Sequence, residues 1–91
     1  MTELTAQQHN LTIVATDQDG DTESITENAH AHLDQLLREA VRKLIGHHAN
    51  PDDYDLLIAG EVQEDLGLTL AAAGLHDGSE VLVMPKDVSR G

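Results

Sequence analysis

The 91-residue chain has no cysteine, no tryptophan and no phenylalanine, and Tyr54 is its single aromatic residue. Without cysteine there can be no disulfide, no thiolate nucleophile and no thiolate metal ligand, which is compatible with a reducing compartment. Hydrophobic residues make up 40% of the chain. Because Tyr54 is the single aromatic residue among them, the core must be built from Leu, Ile, Val and Ala. A chain this short supports one modest core and leaves little for a deep substrate cavity.

Basic residues are also scarce, with five Lys or Arg against 17 Asp or Glu and a formal net charge of −12. This balance repels phosphate backbones and anionic lipids, and it is consistent either with basic protein partners or simply with solubility. No stretch approaches the roughly twenty apolar residues of a membrane span, and the polar start has no leader pattern. We expect a cytoplasmic monomer that binds neither nucleic acid nor membranes.

One domain is expected between two polar ends. Met1–Asn10 has no apolar periodicity and is predicted to be a disordered lead-in. Leu11–Pro85 contains every predicted strand and helix. Pro85 cannot donate a ladder hydrogen bond and should close the last strand, so Lys86–Gly91 is predicted to be a flexible tail.

The first part of the domain has the pattern of a β-hairpin. Leu11–Thr16 is rich in β-branched residues, and Asp17–Asp21 supplies turn residues before a second strand at Thr22–Thr26. The turn alternates carboxylates as calcium loops do, but its glycine is fourth instead of sixth and position twelve is Asn28 instead of Glu. We interpret it as a solvated hairpin turn.

A helix is predicted from Ala29 to Ile45. The apolar residues that recur at helical spacing are Leu33, Leu37, Ala40, Val41 and Leu44. Asn28 is the predicted N-cap, Gly46 ends the helix, and Asn50-Pro51 prevents its resumption. Histidines flank the helix at His30 and His32 and at His47-His48. The two pairs lie more than about 20 Å apart at ~1.5 Å per residue, so we expect surface histidines and no metal site.

Further strands follow the helix. Tyr54–Ala59 is predicted as a strand, Gly60–Gly67 as a polar turn region, Leu70–Ala73 as a short helical turn and Ser79–Met84 as the last strand. The order β-β-α-β-β predicts an α+β fold in which one helix packs on a mixed sheet.

The last forty residues resemble the second half of ubiquitin. Pro51-Asp52 precedes a strand ending in Ala59-Gly60, an acidic loop leads to Thr69-Leu70, and a short polar turn enters the strand Ser79–Met84. Both the residue types and their order match. The resemblance covers Leu11–Gly91 and implies the ubiquitin-like β-grasp fold, as in bacterial ubiquitin-like modifiers that are encoded beside their processing enzymes.

By this resemblance, Gly91 is the acyl donor of a protein modifier. An E1-like activating enzyme would use ATP to adenylate the Gly91 carboxylate. An E2-like conjugating enzyme would then pass the acyl group to a protein target. A JAB-like peptidase would remove it. The chain itself would need neither a catalytic residue nor a cofactor. Ubiquitin ends in Gly-Gly, whereas this tail reads Ser89-Arg90-Gly91.

Three other functions are considered. A noncovalent ubiquitin-like binding module, such as a component of a secretion system, would not need the tail. A sulfur carrier would convert Gly91 to a thiocarboxylate, but such carriers usually require the Gly-Gly that is missing. An enzyme is not expected, because Glu61, Glu64 and Asp65 have no nucleophile, metal motif or buried pocket nearby in the pattern.

The resemblance also implies a recognition patch centred on Leu57, with Leu82 or Met84 beside it. Strand alternation places Leu57 and Ala59 on the opposite face from Leu56 and Ile58, and it separates Leu82 and Met84 from Val81 and Val83 in the same way. The alternative is that these residues are ordinary exposed apolar side chains.

Two departures from ubiquitin bear on recognition and polymerisation. Gln18 occupies the position of the patch's hairpin leucine, so we expect a receptor for ubiquitin to bind poorly. Lys43 and Lys86 are the two lysines of the chain, which argues against extended polymers.

Overall fold

Five strands form one mixed sheet, and one main helix packs on its inner face. The computed structural model describes residues 10–90. The elements are β1 (Asn10–Asp17), β2 (Thr22–Asn28), α1 (Leu33–Leu44), a 3₁₀ helix (Pro51–Asp53), β3 (Tyr54–Ile58), β4 (Glu61–Val62), β5 (Glu80–Pro85) and α2 (Lys86–Ser89). The strand order is β2-β1-β5-β3-β4, with β1 and β5 parallel and the other neighbours antiparallel. The predicted α+β order is confirmed, with β4 and α2 in addition.

The core between α1 and the sheet is aliphatic. Its buried residues are Ile13, Ala15, Ile25, Leu33, Leu36, Leu37, Ala40, Val41, Leu56, Leu70, Leu75, Val81 and Val83. The strands contribute alternate residues because successive side chains of a strand point to opposite faces. Tyr54 is half-buried and packs against this core from its edge.

The β1–β2 connection is held by the side chain of Asp17. Its Oδ1 accepts hydrogen bonds from the backbone N–H groups of Asp19 (2.9 Å) and Asp21 (3.0 Å). Gly20 has a φ of 88°, the left-handed conformation that glycine adopts without strain. The predicted hairpin turn is therefore present. The carboxylate of Asp17, its first residue, accepts hydrogen bonds from backbone N–H groups of the turn.

The helix begins four residues later than predicted, and Asn28 is not its N-cap. Asn28 is the last residue of β2, and its side chain accepts from the N–H of His30 (2.8 Å). His32 is the N-cap residue and has no side-chain capping bond. The N–H groups of the first helical turn instead donate to a distant loop, Leu33 to the Leu68 carbonyl (2.8 Å) and Asp34 to the Leu66 carbonyl (3.0 Å).

The predicted helical face is confirmed with one addition and one change. Leu36, which the predicted set omitted, is fully buried, whereas Leu44 is half-buried. The helix ends at Leu44, one residue before the predicted end, and Gly46 follows with a φ of 132° and an N–H donated to the Val41 carbonyl (3.1 Å).

The segment after β3 is a tight hairpin instead of the predicted polar turn. Ile58 pairs with Glu61, which leaves Ala59 and Gly60 as a two-residue connection with φ values of 53° and 81°. Positive φ at both central residues is the geometry of a type I′ turn, whose twist matches that of the flanking strands. The strand β4 follows from this turn.

The C-terminal segment differs most from its predicted conformation. Pro85 is the last residue of β5, as expected, but Lys86–Ser89 form the short helix α2 and the Arg90 N–H donates to the Lys86 carbonyl (2.9 Å). Up to Arg90 the chain is therefore coiled against the domain instead of extending from it. The predicted lead-in up to His9 and the predicted acyl donor Gly91 lie outside the described residues.

Candidate interaction surface and C-terminal segment

Leu57, Leu82 and Met84, which we call the outer patch, lie on the sheet face opposite α1. Leu57 and Leu82 are direct partners across β3 and β5, and Met84 is two residues further along β5. Their neighbours Leu56, Val81 and Val83 are buried in the core, so strand alternation places the patch on the other face. Leu82 is exposed, while Leu57 and Met84 are half-buried.

A shallow cleft of about 360 Å³ adjoins the patch. Its lining includes Leu57, Leu82, Thr16 and the Ala59-Gly60 turn. Glu80 contributes a carboxylate to the lining. Gln18 is not part of this cleft and lines a separate small cavity with Tyr54 and Pro85. The β1–β2 turn therefore adds no apolar side chain to the patch.

The same face carries a buried carboxylate that sequence reasoning missed. Asp55 pairs with Met84 across the strands and precedes Leu57 by two residues, so all three point outward. Asp55 is nevertheless only 4% exposed. Helix α2 contacts both β3 and β5 and covers this part of the sheet. Nothing in the local sequence signals this burial, because an Asp at an outward position of a strand predicts a solvated side chain.

Asp55 is bound by the C-terminal segment through three short hydrogen bonds. Its Oδ2 accepts from Ser89 Oγ (2.6 Å) and Arg90 Nε (2.8 Å), and its Oδ1 accepts from Arg90 Nη2 (2.9 Å). The two arginine bonds form the bidentate geometry that a guanidinium makes with a carboxylate. We call Asp55, Ser89 and Arg90 the C-terminal clasp. On its solvent side, Arg90 Nη2 also lies 3.3 Å from the exposed Glu64.

The electrostatics of the clasp favour the charged pair. The hydrogen bonds from Arg90 lower the pKa of Asp55, burial opposes this by raising it, and the bond from Ser89 lowers it further. The carboxylate in turn raises the pKa of Arg90. The two other arginines form exposed pairs within α1, Arg38 with Asp34 and Arg42 with Glu39. Arg90 is thus the arginine whose partner is a buried acid.

The histidines next to α1 are exposed, as predicted, but one of them has a structural role. His32 Nδ1 lies 2.6 Å from the Gly67 carbonyl, and since a carbonyl only accepts, Nδ1 carries the proton and donates. Within residues 10–90, no group of three or more His, Asp or Glu side chains is arranged to hold a metal ion. In the same part of the chain, no helix is long and apolar enough to cross a membrane.

Comparison with known proteins identifies the fold. The structure is similar to a ubiquitin of Caldiarchaeum subterraneum, with a TM-score of 0.73 at 15% identity over 84% of this chain and 92% of that one. The chain has the ubiquitin-like β-grasp fold. A protein designed on the basis of ubiquitin gives 0.73 at 13% identity over 87% and 92% of the two chains. The N-terminal ubiquitin-like domain in the 4931431F19Rik protein gives 0.68 at 20% identity over 82% and 73%.

No protein-family model matches this ubiquitin-like chain, and no curated protein matches it in sequence. At identities of 15%, 13% and 20%, the structural likeness extends to the fold alone. A ubiquitin-like fold usually belongs to a modifier or a binding domain instead of an enzyme.

Proposed function

We propose that this ubiquitin-like chain is a bacterial protein modifier that is attached to target proteins through the carboxylate of Gly91. One observation carries the proposal. The outer patch of Leu57, Leu82 and Met84 lies on the same sheet face as Ser89 and Arg90, the residues that bind Asp55, and Gly91 follows these two in the sequence. An apolar surface for recognition and a terminal glycine for attachment are the two parts that a modifier requires.

The chemistry would belong to partner enzymes. In an E1-like activating enzyme, a Gly91 carboxylate oxygen attacks the α-phosphorus of ATP, forming an acyl-adenylate and releasing pyrophosphate. A thiolate of the enzyme system then displaces AMP, and a target amine or hydroxyl displaces the thiolate after transfer to an E2-like enzyme. Glycine has no side chain, so it enters a narrow channel easily. The chain supplies the acyl group and no catalytic residue, and the proposal locates it in the cytoplasm, where ATP is available.

The proposal is tested by intact-mass analysis of the tagged chain recovered from its own host under denaturing conditions. Three forms are compared: the full chain, a chain lacking Gly91, and a chain lacking Thr2 as a control that also loses one residue. We expect covalent adducts with the first and third forms and none without Gly91. Adducts that persist without Gly91, or no adducts from any form, would refute conjugation through this residue. The same spectra report whether Gly91 carries a free carboxylate.

A noncovalent binding module is the second candidate, and the C-terminal clasp favours it. In the structure Arg90 is bound to the domain, as expected if the segment stabilises the fold and reacts with nothing. This candidate predicts that noncovalent partners are recovered equally with and without Gly91. A sulfur carrier is the remaining alternative, and it would appear in the same spectra as a chain with one carboxylate oxygen replaced by sulfur.

A further inference from the structure

We propose that Asp55 keeps the C-terminal segment in a closed, unreactive form, and that a processing enzyme has to displace Arg90 from Asp55 before Gly91 can react. This inference concerns the regulation of the proposed modifier and in that respect rests on the proposed function. The closed form itself is a property of the free chain and can be measured without any partner enzyme.

The burial of Asp55 supports a closed form of the segment. A carboxylate at an outward position of a strand is normally hydrated, and removing it from water is unfavourable unless it is paired and hydrogen-bonded. Here it is 4% exposed and receives bonds from Ser89 and Arg90 at 2.6 to 2.9 Å. The segment thus both covers the carboxylate and supplies the groups that compensate for covering it.

The closed segment is also much shorter than the same residues in an extended conformation. An acyl donor that enters an enzyme needs an extended stem, and the closed segment is coiled into α2. The five residues 86–90 span about 8 Å at the ~1.5 Å rise of a helix and about 16 Å at the ~3.3 Å of an extended chain. Opening the clasp therefore roughly doubles the reach of the stem beyond Pro85.

Opening of the segment would also change the outer face of the sheet. Asp55 lies next to Met84 and two residues from Leu57 on the outer face. When the segment is extended, this carboxylate is uncovered beside the apolar outer patch. The closed and extended forms thus present different surfaces. A partner that prefers the extended form would place a cation at Asp55 and a carboxylate at Arg90, in place of the intramolecular pair.

The closed form is tested by ¹⁵N relaxation and amide exchange of residues 86–90 in solution. Four chains are compared: the natural sequence, Asp55→Asn, Arg90→Gln and the control Glu64→Gln. The control removes the charge of the exposed partner of Arg90, at 75% side-chain exposure, and changes the net charge by the same amount as Asp55→Asn. We expect residues 86–90 to be as rigid as β5 in the natural chain and the control, and mobile in the other two.

Three results would overturn the closed form. The first is that residues 86–90 are already mobile in the natural chain. The second is that they stay rigid in Arg90→Gln. The third is that they lose rigidity in Glu64→Gln, which would mean that Glu64 instead of Asp55 holds Arg90. If Asp55→Asn does not fold, the result for Arg90→Gln decides the question, because this change alters no residue of the sheet.

The gating step is tested by the conjugated fraction in the host. A closed form favoured about ten to one reduces the reactive fraction about tenfold, so Asp55→Asn should raise the yield of adducts by up to that factor. An unchanged or lower yield would refute gating. If even the natural chain forms no adducts while its segment is rigid, the proposed function fails and the gating step falls with it, while the closed form stands as a property of the fold.

Discussion

Asp55 illustrates how one side chain in this protein has a role that its neighbours in the sequence do not indicate. Its strand position is that of a surface residue, yet it is buried because residues 34 and 35 positions later cover it. A buried carboxylate with a guanidinium partner stabilises the folded state as long as it is charged.

We predict that Asp55→Asn lowers the free energy of unfolding by roughly 1.5–3 kcal/mol at neutral pH, the usual contribution of hydrogen bonds to a charged group. Because the folded-state pKa of Asp55 is lowered, the stabilisation is fully present above the ordinary aspartate pKa of about 3.9 and is lost as the pH falls through the folded value. Urea unfolding of both chains at a series of pH values measures this. A difference that stays constant into strong acid would contradict it.

Ala59 is the second residue whose conformation is informative. It has a φ of 53°, whereas Gly60 beside it has 81°. A non-glycine residue in this region is strained unless it is Asn or Asp, which tolerate it. The turn was not predicted, because Ala59 read as the end of a strand.

We predict that Ala59→Asn raises the free energy of unfolding by about 0.5–1 kcal/mol, because Asn-Gly is the preferred pair for a type I′ turn. Gly60→Ala should lower it by about 1–2 kcal/mol, since an alanine is strained at this φ. No atom lies within 4 Å of the added methyl group, so the loss would reflect the backbone alone. Thermal unfolding of both variants tests whether Ala59→Asn stabilises the protein and Gly60→Ala destabilises it. Melting temperatures that shift equally in the same direction would contradict a type I′ turn at these residues.

The start of α1 shows how an element can depend on a distant part of the chain. The sequence predicted a local cap at Asn28, but the structure uses the loop Leu66–Leu68 to accept the first N–H groups. His32 adds a bond from its ring to Gly67 in the same loop. The predicted helix was right in type and in its apolar face, and it was wrong at its beginning because the capping acceptors are supplied by a distant loop.

We predict that His32→Ser does not stabilise the protein, although serine is a preferred N-cap. The N–H groups that a capping serine would bind already donate, Asp34 to the Leu66 carbonyl and Gln35 to that of His32. The bond from His32 to Gly67 would be lost, and we expect a decrease of about 0.5–1.5 kcal/mol in the free energy of unfolding. The exposed His47→Ser is the control, with a change within about 0.5 kcal/mol. Stabilisation by His32→Ser would show that the helix start lacks a cap.

The molecule as a whole is strongly acidic, and its described residues include the apolar outer patch on the sheet. A net charge of −12 favours encounter with basic partners. The outer patch and the C-terminal clasp share one face of the sheet, so opening of the segment would change the surface beside the patch.

We predict that Leu82→Thr reduces recovery of noncovalent partners from host lysate while changing the free energy of unfolding by less than about 1 kcal/mol, because Leu82 is 38% exposed and threonine keeps a strand preference. Val88→Thr is the matched control, since Val88 is 50% exposed and lies outside the patch. Quantitative mass spectrometry of the captured proteins compares the two. Equal recovery from both variants would mean that the patch is an ordinary apolar surface.

Four of the five strands, the main helix and the separation of the sheet faces could be predicted from the sequence because they depend on residues close together in the chain. β-branched runs, helical spacing from Leu33 to Val41 and turn residues at Asp17–Asp21 act within a few positions of each other. Strand alternation likewise separated Leu57 and Leu82 from Leu56 and Val81, and the resemblance to ubiquitin implied that Leu57 and Leu82 were on the outer face. The aliphatic core could be predicted from the amino-acid composition.

The burial of Asp55, the capping of α1 by a loop and the coiling of Lys86–Ser89 could not be read in this way. Each depends on a contact between residues that are more than thirty positions apart, such as Asp55 with Arg90 and His32 with Gly67. Local preference favours a solvated aspartate and a free polar tail, and only the packing of α2 against β3 and β5 reverses both. The chain thus encodes its elements locally, while the state of its C-terminal segment is set by a long-range pair of opposite charges.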